Sequence, residues 1–374
     1  MRYVAGMSAA FSPAIMPLGF GSPAPWFKAS VLDGNSNYSF HTVAGRPVLL
    51  FVMGSAAQPS VKEALDRIFR NPALFDDEHC CFFGVTSDPQ DVETGLIRTR
   101  IPGIRYFLDY DRHIAGSFGC WVGRGSAIVP SLIVLDRQLR VSGRYMVQEI
   151  EAALGNLNSL VSEICVDDWA PVLNLPRVFE SELCKALIDQ YESQGGNDSG
   201  FMREVDGKTV PVIDYSFKKR NDLQITDPDL RTALVSRIDQ RIRPAVKRAF
   251  QFEATRVERY IVACYDAGVG GFFRPHRDNT TKGTAHRRFA VTINLNSEDY
   301  EGGELRFPEF GSRTYRASTG GAVIFSCELL HEATPVTKGT RFAFLPFLYD
   351  DAAAEIRERN NAFLGEGVGA YSNT

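Results

Sequence analysis

His276, Arg277 and Asp278, answered by His331 and then Arg341, are the residues of this chain best suited to chemistry. Two imidazoles and one carboxylate can occupy one face of an octahedral Fe(II), leaving positions for a co-substrate and O2. Arg341 lies ten residues beyond His331, and a guanidinium grips a carboxylate at two points. The set reads as an iron site beside an anion-binding site. A His-x-Asp pair alone says little in a chain with six histidines; its bland reading is a loop His beside a solvated Asp. Order and context favour the metal. His276 and Asp278 follow the glycine-rich Gly268-Val269-Gly270-Gly271, after an apolar strand ending at Tyr265, and His331 follows the apolar Val323-Ile324-Phe325. Ligands carried on neighbouring rigid strands can meet at one point.

Those ligands need a β framework, and the second half of the chain supplies one. Short apolar runs at 259–265, 289–295, 303–307, 322–325 and 341–348 are separated by Gly, Asp, Asn and Pro turns, a spacing that predicts a sandwich or jelly roll. Two helices precede them. One starts near Ser181, read as its N-cap; the other has Asp227 as cap and Pro228 in its first turn and runs to about Phe250. Its Arg231, Arg237, Arg241, Arg243, Lys247 and Arg248, with Lys218-Lys219-Arg220 before it, form a basic region read as a solvated face. His286 reads as a solvated loop residue, and Arg288 as structural or substrate-facing. A short helix is expected over 352–361, with a mobile end from Gly365 to Thr374.

Residues 171–350 resemble the prolyl 4-hydroxylase-like branch of the Fe(II)/2-oxoglutarate dioxygenases. The resemblance rests on Cys264-Tyr265, His276-x-Asp278-Asn279, Arg288, Leu295-Asn296, Gly302-Gly303-x-Leu305-x-Phe307, Gly320-Gly321, Phe325, His331-Glu332, Val336, Gly339 and Arg341. It implies a double-stranded β-helix, a distorted jelly roll with flanking helices. It implies His276, Asp278 and His331 as ligands of Fe(II), and Arg341 on the distal carboxylate of 2-oxoglutarate with Tyr265 beside it. Asn294 stands where the oxygen-sensing members tend to have Tyr and is a candidate to bond the co-substrate. Lys338 is the rival cation; Arg341 is preferred because it opens the apolar strand Phe342-Ala343-Phe344-Leu345, where alternation can aim it inward. The implied reaction is oxidative decarboxylation of 2-oxoglutarate to succinate and CO2, coupled through O2 to hydroxylation of a substrate C–H, with ascorbate as an accessory reductant.

The first half alternates strands and helices: VLLFVM at 48–53, a helical pattern at 59–69, CCFFGV at 80–85, then 104–108, 131–136, 139–145 and a helix over 148–164. This order predicts an α/β sandwich. Residues 17–145 resemble thioredoxin-fold proteins of the peroxiredoxin branch, carried by 21–27 (GSPAPWF), 49–52, 84–88 (GVTSD) and 129–136 (VPSLIVLD). Pro130 stands where that fold places its cis-proline. The departure is larger than the likeness: after the 48–53 strand, where peroxiredoxins carry their catalytic cysteine, this chain reads Gly54-Ser55-Ala56-Ala57-Gln58-Pro59-Ser60. Without a thiolate there is no peroxidatic nucleophile. Cys80 and Cys81 are adjacent in a strand and should face opposite ways.

The expected organisation is thus 1–165, a redoxin-like domain lacking its nucleophile, and 166–374, the dioxygenase domain, joined near Val166-Asp167-Asp168. The 374 residues are 44% hydrophobic with a net charge of −4, which gives no argument for nucleic acid or an anionic membrane. No apolar run is long enough to span a membrane, and the start of the chain makes a poor secretory signal. Cys80, Cys81, Cys120, Cys165, Cys184, Cys264 and Cys327 form no CxxC pair, so a reducing, cytoplasmic setting is expected. The expected partner is a peptide, protein or small-molecule substrate. The N-terminal domain is a candidate for substrate presentation or homodimerisation. The alternatives are a thiol-redox relay or peroxidase through that domain, and a 2-oxoglutarate or oxygen sensor with a silent site.

Overall fold

The computed structural model describes residues 18–70, 72–163 and 168–372. These fall into two compact units, 18–163 and 168–372. Cys165, the first two linker residues and most of the leading segment lie outside the described residues. No helix among the described residues is long and apolar enough to cross a membrane.

The first unit is built on a five-stranded sheet in the order Ile104–Leu108, Cys81–Thr86, Val48–Gly54, Ser131–Leu135, Val141–Met146. The first three strands are parallel and the last two antiparallel. Val48–Gly54 is buried along its whole length, as an unbroken apolar run in a sheet covered on both faces must be. On one face, helices Pro59–Ile68 and Ile150–Ser162 pack Val61, Leu65, Ile68 and Leu157 against Leu49, Phe51 and Phe82. Phe27, Phe40, Phe83 and Phe107 stack against one another over the other face. This is the thioredoxin-like architecture. The cis bond is not at Pro130: it is Ile101–Pro102. Val129, whose amide donates to Cys120 O at 2.8 Å, instead leads into its strand through an ordinary trans link.

Where a peroxidatic thiol would stand, the loop donors close on a carboxylate. Asp91, fully buried, accepts the Ala56 amide at 2.8 Å and the Ser55 hydroxyl at 3.1 Å, with Thr86 Oγ1 as a third donor. Cys80 packs under the helices, and burial pushes its thiol up to about 12 and that of Cys81 to about 11. Neither is a thiolate at neutral pH.

The second unit is a two-sheet jelly roll. The large sheet runs Arg256–Glu258, Phe347–Tyr349, Phe289–Asn294, Thr340–Phe344, Ile261–Asp266, Asn221–Gln224, Asn197–Asp198, with Ala322–Ser326 and Leu173–Leu175 attached through Phe289–Asn294. The small sheet runs Lys218–Lys219, Phe272–His276, His331–Ala333, Leu305–Arg306, Thr314–Tyr315. Strand alternation sorts the large sheet into two faces. Val262, Val291, Ile293, Phe342 and Phe344 face the helices, meeting Leu187, Leu234, Ile238 and Val246. Ala263, Tyr265, Ala343 and Leu345 face the small sheet, meeting Phe273 and Ala333. Residue 341 has the parity of Ala343 and Leu345, so Arg341 is delivered to the inner face.

Asp227 caps its helix as expected, accepting from Asp229 N at 2.9 Å and Leu230 N at 3.3 Å. The chain then runs as Pro228–Arg237, a π turn over Ile238–Ile242, and Arg243–Phe250. Four of its six basic residues are neutralised locally: Arg237 and Arg241 meet Glu180, Arg243 meets Asp239, and Lys247 meets Glu253. Ser181 is not an N-cap. It is the first helical residue, behind Glu180, whose carboxylate serves the two arginines instead. The end of the chain is also better held than expected. Gly365 N donates to Thr209 O at 2.9 Å, and Asn361 and Tyr371 exchange two bonds at 2.6 and 2.9 Å.

Candidate metal centre

His276 and His331 are directly opposite each other on an antiparallel pair in the small sheet, so both side chains leave the same face. Asp278 follows two residues later, its amide donating to Cys327 O at 3.0 Å. The Asp278 carboxylate lies 3.7 Å from His276 Nε2 and 3.4 Å from His331 Nε2. One donor atom from each residue lies within 4.8 Å of the other two. The other ring nitrogens are committed: His276 Nδ1 meets Arg274 O at 2.7 Å and His331 Nδ1 meets Leu329 O at 3.0 Å. A carbonyl can only accept, so each Nδ1 carries the proton and each Nε2 presents a lone pair to the shared point. This is the usual way a ligand imidazole is oriented.

The surroundings keep this set in its ligating state. Burial pushes His276 well below its ordinary value, so it is neutral. Burial alone would raise Asp278, but the two imidazoles and the nearby Arg287 hold it below the usual carboxylate range. Phe273 stacks on His276 at 3.5 Å between centroids, and Phe325 meets His331 at 4.6 Å. Arg277, between the ligands in sequence, points the opposite way, as alternation requires. It makes a two-point pair with Glu309 at 2.8 and 3.1 Å, and Glu309 also accepts Leu330 N at 2.9 Å. The segments carrying both histidines are thereby tied together.

Arg341 lies across the sheet from Tyr265 in register, its guanidinium 5.0 Å from that ring. It is 2% exposed, and its Nε has no partner. No carboxylate among the described residues is hydrogen-bonded to it. A buried, uncompensated guanidinium is costly unless an anion arrives, and it lines the same cleft as the triad. Gly303, at φ +67, makes room for it, since a Cβ there would sit 3.1 Å from Arg341 Cδ. Lys338 is no competitor: it is exposed and paired with Glu301 at 2.9 Å.

The cleft is lined by Tyr265, Thr292, Leu305, Phe325, Leu345 and Phe347 as well as the ligands. Asn294 is not in it. Its Nδ2 donates to Ala317 O at 2.8 Å at the strand end, and Thr292, two residues earlier on the same face, takes the inward position. Arg220 lines it as well, and so does Arg259, which was not assigned to the centre from sequence. Arg220 is clamped by Asp222 at 2.7 and 2.6 Å and donates to Tyr265 Oη at 3.3 Å. Lys218, also buried, bonds Ser199 Oγ and Gly200 O, each at 2.7 Å.

His286 is not solvated. It is 1% exposed and bonded to Glu258, which also holds Arg287 at 2.7 Å and Arg357 at 3.4 Å. Arg288 bonds the Ala285 carbonyl at 2.9 Å, a structural role. Burial holds His286 below its ordinary value. Burial alone would raise Glu258, but the charge of Arg287 and the bond from His286 hold it low. A histidine depressed in the folded state is protonated first in the unfolded chain. Its contribution is therefore full above about pH 6.5 and declines below it, with Glu258 adding a loss below about pH 4.3. The denaturant midpoint should fall further in wild type than in His286→Gln between about pH 7.5 and about pH 5.5. Equal falls would remove His286 from this account.

Residues 260–349 match the model of the 2OG-Fe(II) oxygenase superfamily, and residues 20–144 that of the AhpC/TSA family. A PKHD-type hydroxylase of Synechococcus sp. is 28% identical over 117 residues, covering 29% of this chain and 51% of the relative. One from Pseudomonas fluorescens is 35% identical over 91 residues, covering 22% of this chain and 39% of the relative. A Pseudomonas putida prolyl-4-hydroxylase structure aligns with 18% identity and a TM-score of 0.37, over 48% of this chain and 92% of that one. The chain spans about half the length of the first curated relatives it matches. His276, Asp278, His331, Arg341 and Tyr265 all fall inside the matched 260–349. The chain thus matches the 2OG-Fe(II) oxygenase superfamily model in its second unit and the AhpC/TSA family model in its first.

Proposed function

We propose that the second unit is an Fe(II)- and 2-oxoglutarate-dependent dioxygenase that hydroxylates an unactivated C–H bond and releases succinate and CO2. The observation that carries this reading is the pair of Nε2 lone pairs converging on Asp278, beside a buried guanidinium with no counter-ion among the described residues. Two neutral nitrogens and one carboxylate oxygen suit ferrous iron, and the carbonyls already orient both rings towards it. When bound, the iron with 2-oxoglutarate and O2 supplies the oxidising power.

The chain's own residues do the rest. Arg341 holds the distal carboxylate of the co-substrate at two points, and the Tyr265 hydroxyl, oriented by Arg220, bonds the same group. Phe273, Phe325, Phe347 and Leu345 keep water from the reacting centre. No side chain is required as a general base. The substrate is a prolyl or other residue of a peptide or protein, or a small molecule. Ascorbate serves to keep the metal ferrous. The first unit, with buried thiols and no peroxidatic cysteine, acts as a non-catalytic module for substrate presentation or homodimerisation.

Anaerobic calorimetry tests the reading without turnover. 2-Oxoglutarate should bind the Fe(II)-loaded chain at least about tenfold more tightly than the metal-free chain, because the metal adds ligand contacts to the Arg341 seat. Equal affinities would mean that the triad and the co-substrate seat are not one site.

A further inference from the structure

The cleft holds one cation more than the proposed co-substrate can use. Arg220 is spent on Asp222. Arg341 is the co-substrate seat. Arg259 remains, on the same cleft wall. Its Nε donates to Leu345 O at 3.0 Å, and its guanidinium lies 4.4 Å from the Phe347 ring centroid. Those two contacts fix the plane of the group and leave the Nη1/Nη2 edge without an acceptor among the described residues. Its neighbour Arg287, 4.1 Å from the same ring, differs in having Glu258 as its counter-ion. Arg259 also sits at φ +69, a left-handed conformation that a residue with a long side chain rarely adopts. That backbone turn places it at the head of the strand rather than within its alternation.

Arg259 and Arg341 stand at opposite ends of the inner face. Arg341 pairs with Tyr265, whereas Leu345 O, which Arg259 bonds, lies towards Ile261. From Tyr265 to Ile261 is four steps, roughly 13 Å of strand at about 3.3 Å per residue, and Arg259 lies beyond. A distal carboxylate held on Arg341 cannot also reach that end. The charges agree. With a divalent metal and a dianionic co-substrate in place, Asp278 and the co-substrate offset the metal and one guanidinium, and the charge of the other remains.

We infer that the substrate carries a carboxylate and that Arg259 seats it at the end of the cleft away from Arg341. This rests on the dioxygenase reading above and narrows its substrate class to acids. The α-carboxylate of a free amino acid, or a peptide's C-terminus, and an Asp or Glu side chain offer the same planar two-oxygen group to the free edge. The seat makes Arg259 a specificity-determining residue.

The test uses the full chain loaded with Mn(II) and 2-oxoglutarate, with calorimetric binding as the first readout. The probes are the free L-amino acids, each with its amide, and acetylated, amidated pentapeptides containing Asp or Glu, each with its Asn or Gln counterpart. Succinate release by the Fe(II) form is the second readout. At least one acid should bind at least about tenfold more tightly than its amide and should stimulate succinate release. The free-acid and peptide arms tell the two sources apart. In Arg259→Leu the acid-to-amide preference should fall to about one, and in Arg259→Lys it should be partly restored. The KM for the acid should rise at least about tenfold more than the KM for 2-oxoglutarate. Overturning results are acids and amides that bind alike, no binding of any acid in the panel, or an Arg259→Leu variant that keeps the preference. Failure of the dioxygenase reading looks different: no metal-dependent binding of 2-oxoglutarate, whatever the acids do.

Discussion

Arg341→Leu should raise the KM for 2-oxoglutarate by roughly 100-fold. Removing one partner of a buried, hydrogen-bonded charge pair costs about 2–5 kcal/mol, and each 1.4 kcal/mol is about tenfold. The size of the effect follows from the burial of Arg341 and from the missing carboxylate: nothing else in the described residues holds it. Leu fills much of the same space without charge, so the fold should survive. Arg341→Lys should fall between, because an ammonium keeps the charge and loses the two-point geometry. The measurement is the KM for 2-oxoglutarate in uncoupled succinate release. A change under threefold in Arg341→Leu would assign the distal carboxylate to another group.

His331→Ala should weaken metal binding by more than about 100-fold. Loss of a group that merely orients a ligand costs about 10–100-fold in metal affinity, and here the ligand itself is lost. The two remaining donors, His276 Nε2 and an Asp278 oxygen 3.7 Å away, form an incomplete face. The small sheet is not expected to unfold, because the Arg277–Glu309 pair still joins the loops on either side. Equilibrium dialysis with Mn(II) reads the affinity directly. An unchanged affinity in a variant with native circular dichroism would place the metal elsewhere.

The triad was legible in sequence from the types and order of its residues. The strands that carry the histidines, Phe272–His276 and His331–Ala333, were not among the expected runs, because FFRPH and HEA hold too few apolar residues to announce a strand. Arg341 was legible because alternation with Phe342 and Phe344 sends it inward. Asn294 failed on the same rule, because it has the right parity but lies where the strand ends, and the Ala317 carbonyl captures its amide. Arg259 was not singled out because it stood as the first residue of the expected 259–265 run; the strand in fact starts at Ile261, with Arg259 left-handed ahead of it. His286 was hidden because its partner Glu258 lies 28 residues earlier in sequence, and no local pattern announces a pair that distant. In the first unit the continuous strands 48–53 and 80–85 gave the sheet directly. The capture of Ala56 and Ser55 by Asp91 is again a contact between distant segments.

The most direct test is succinate formation by anaerobically purified full chain given Fe(II), ascorbate, 2-oxoglutarate and O2, with His276→Ala alongside. Wild type should form succinate slowly without added substrate, only when Fe(II) and O2 are both present, and His276→Ala should form none above the no-protein control. Wild-type protein that neither forms succinate nor binds 2-oxoglutarate when loaded with Fe(II), or a His276→Ala variant that forms succinate at the wild-type rate, would contradict the account.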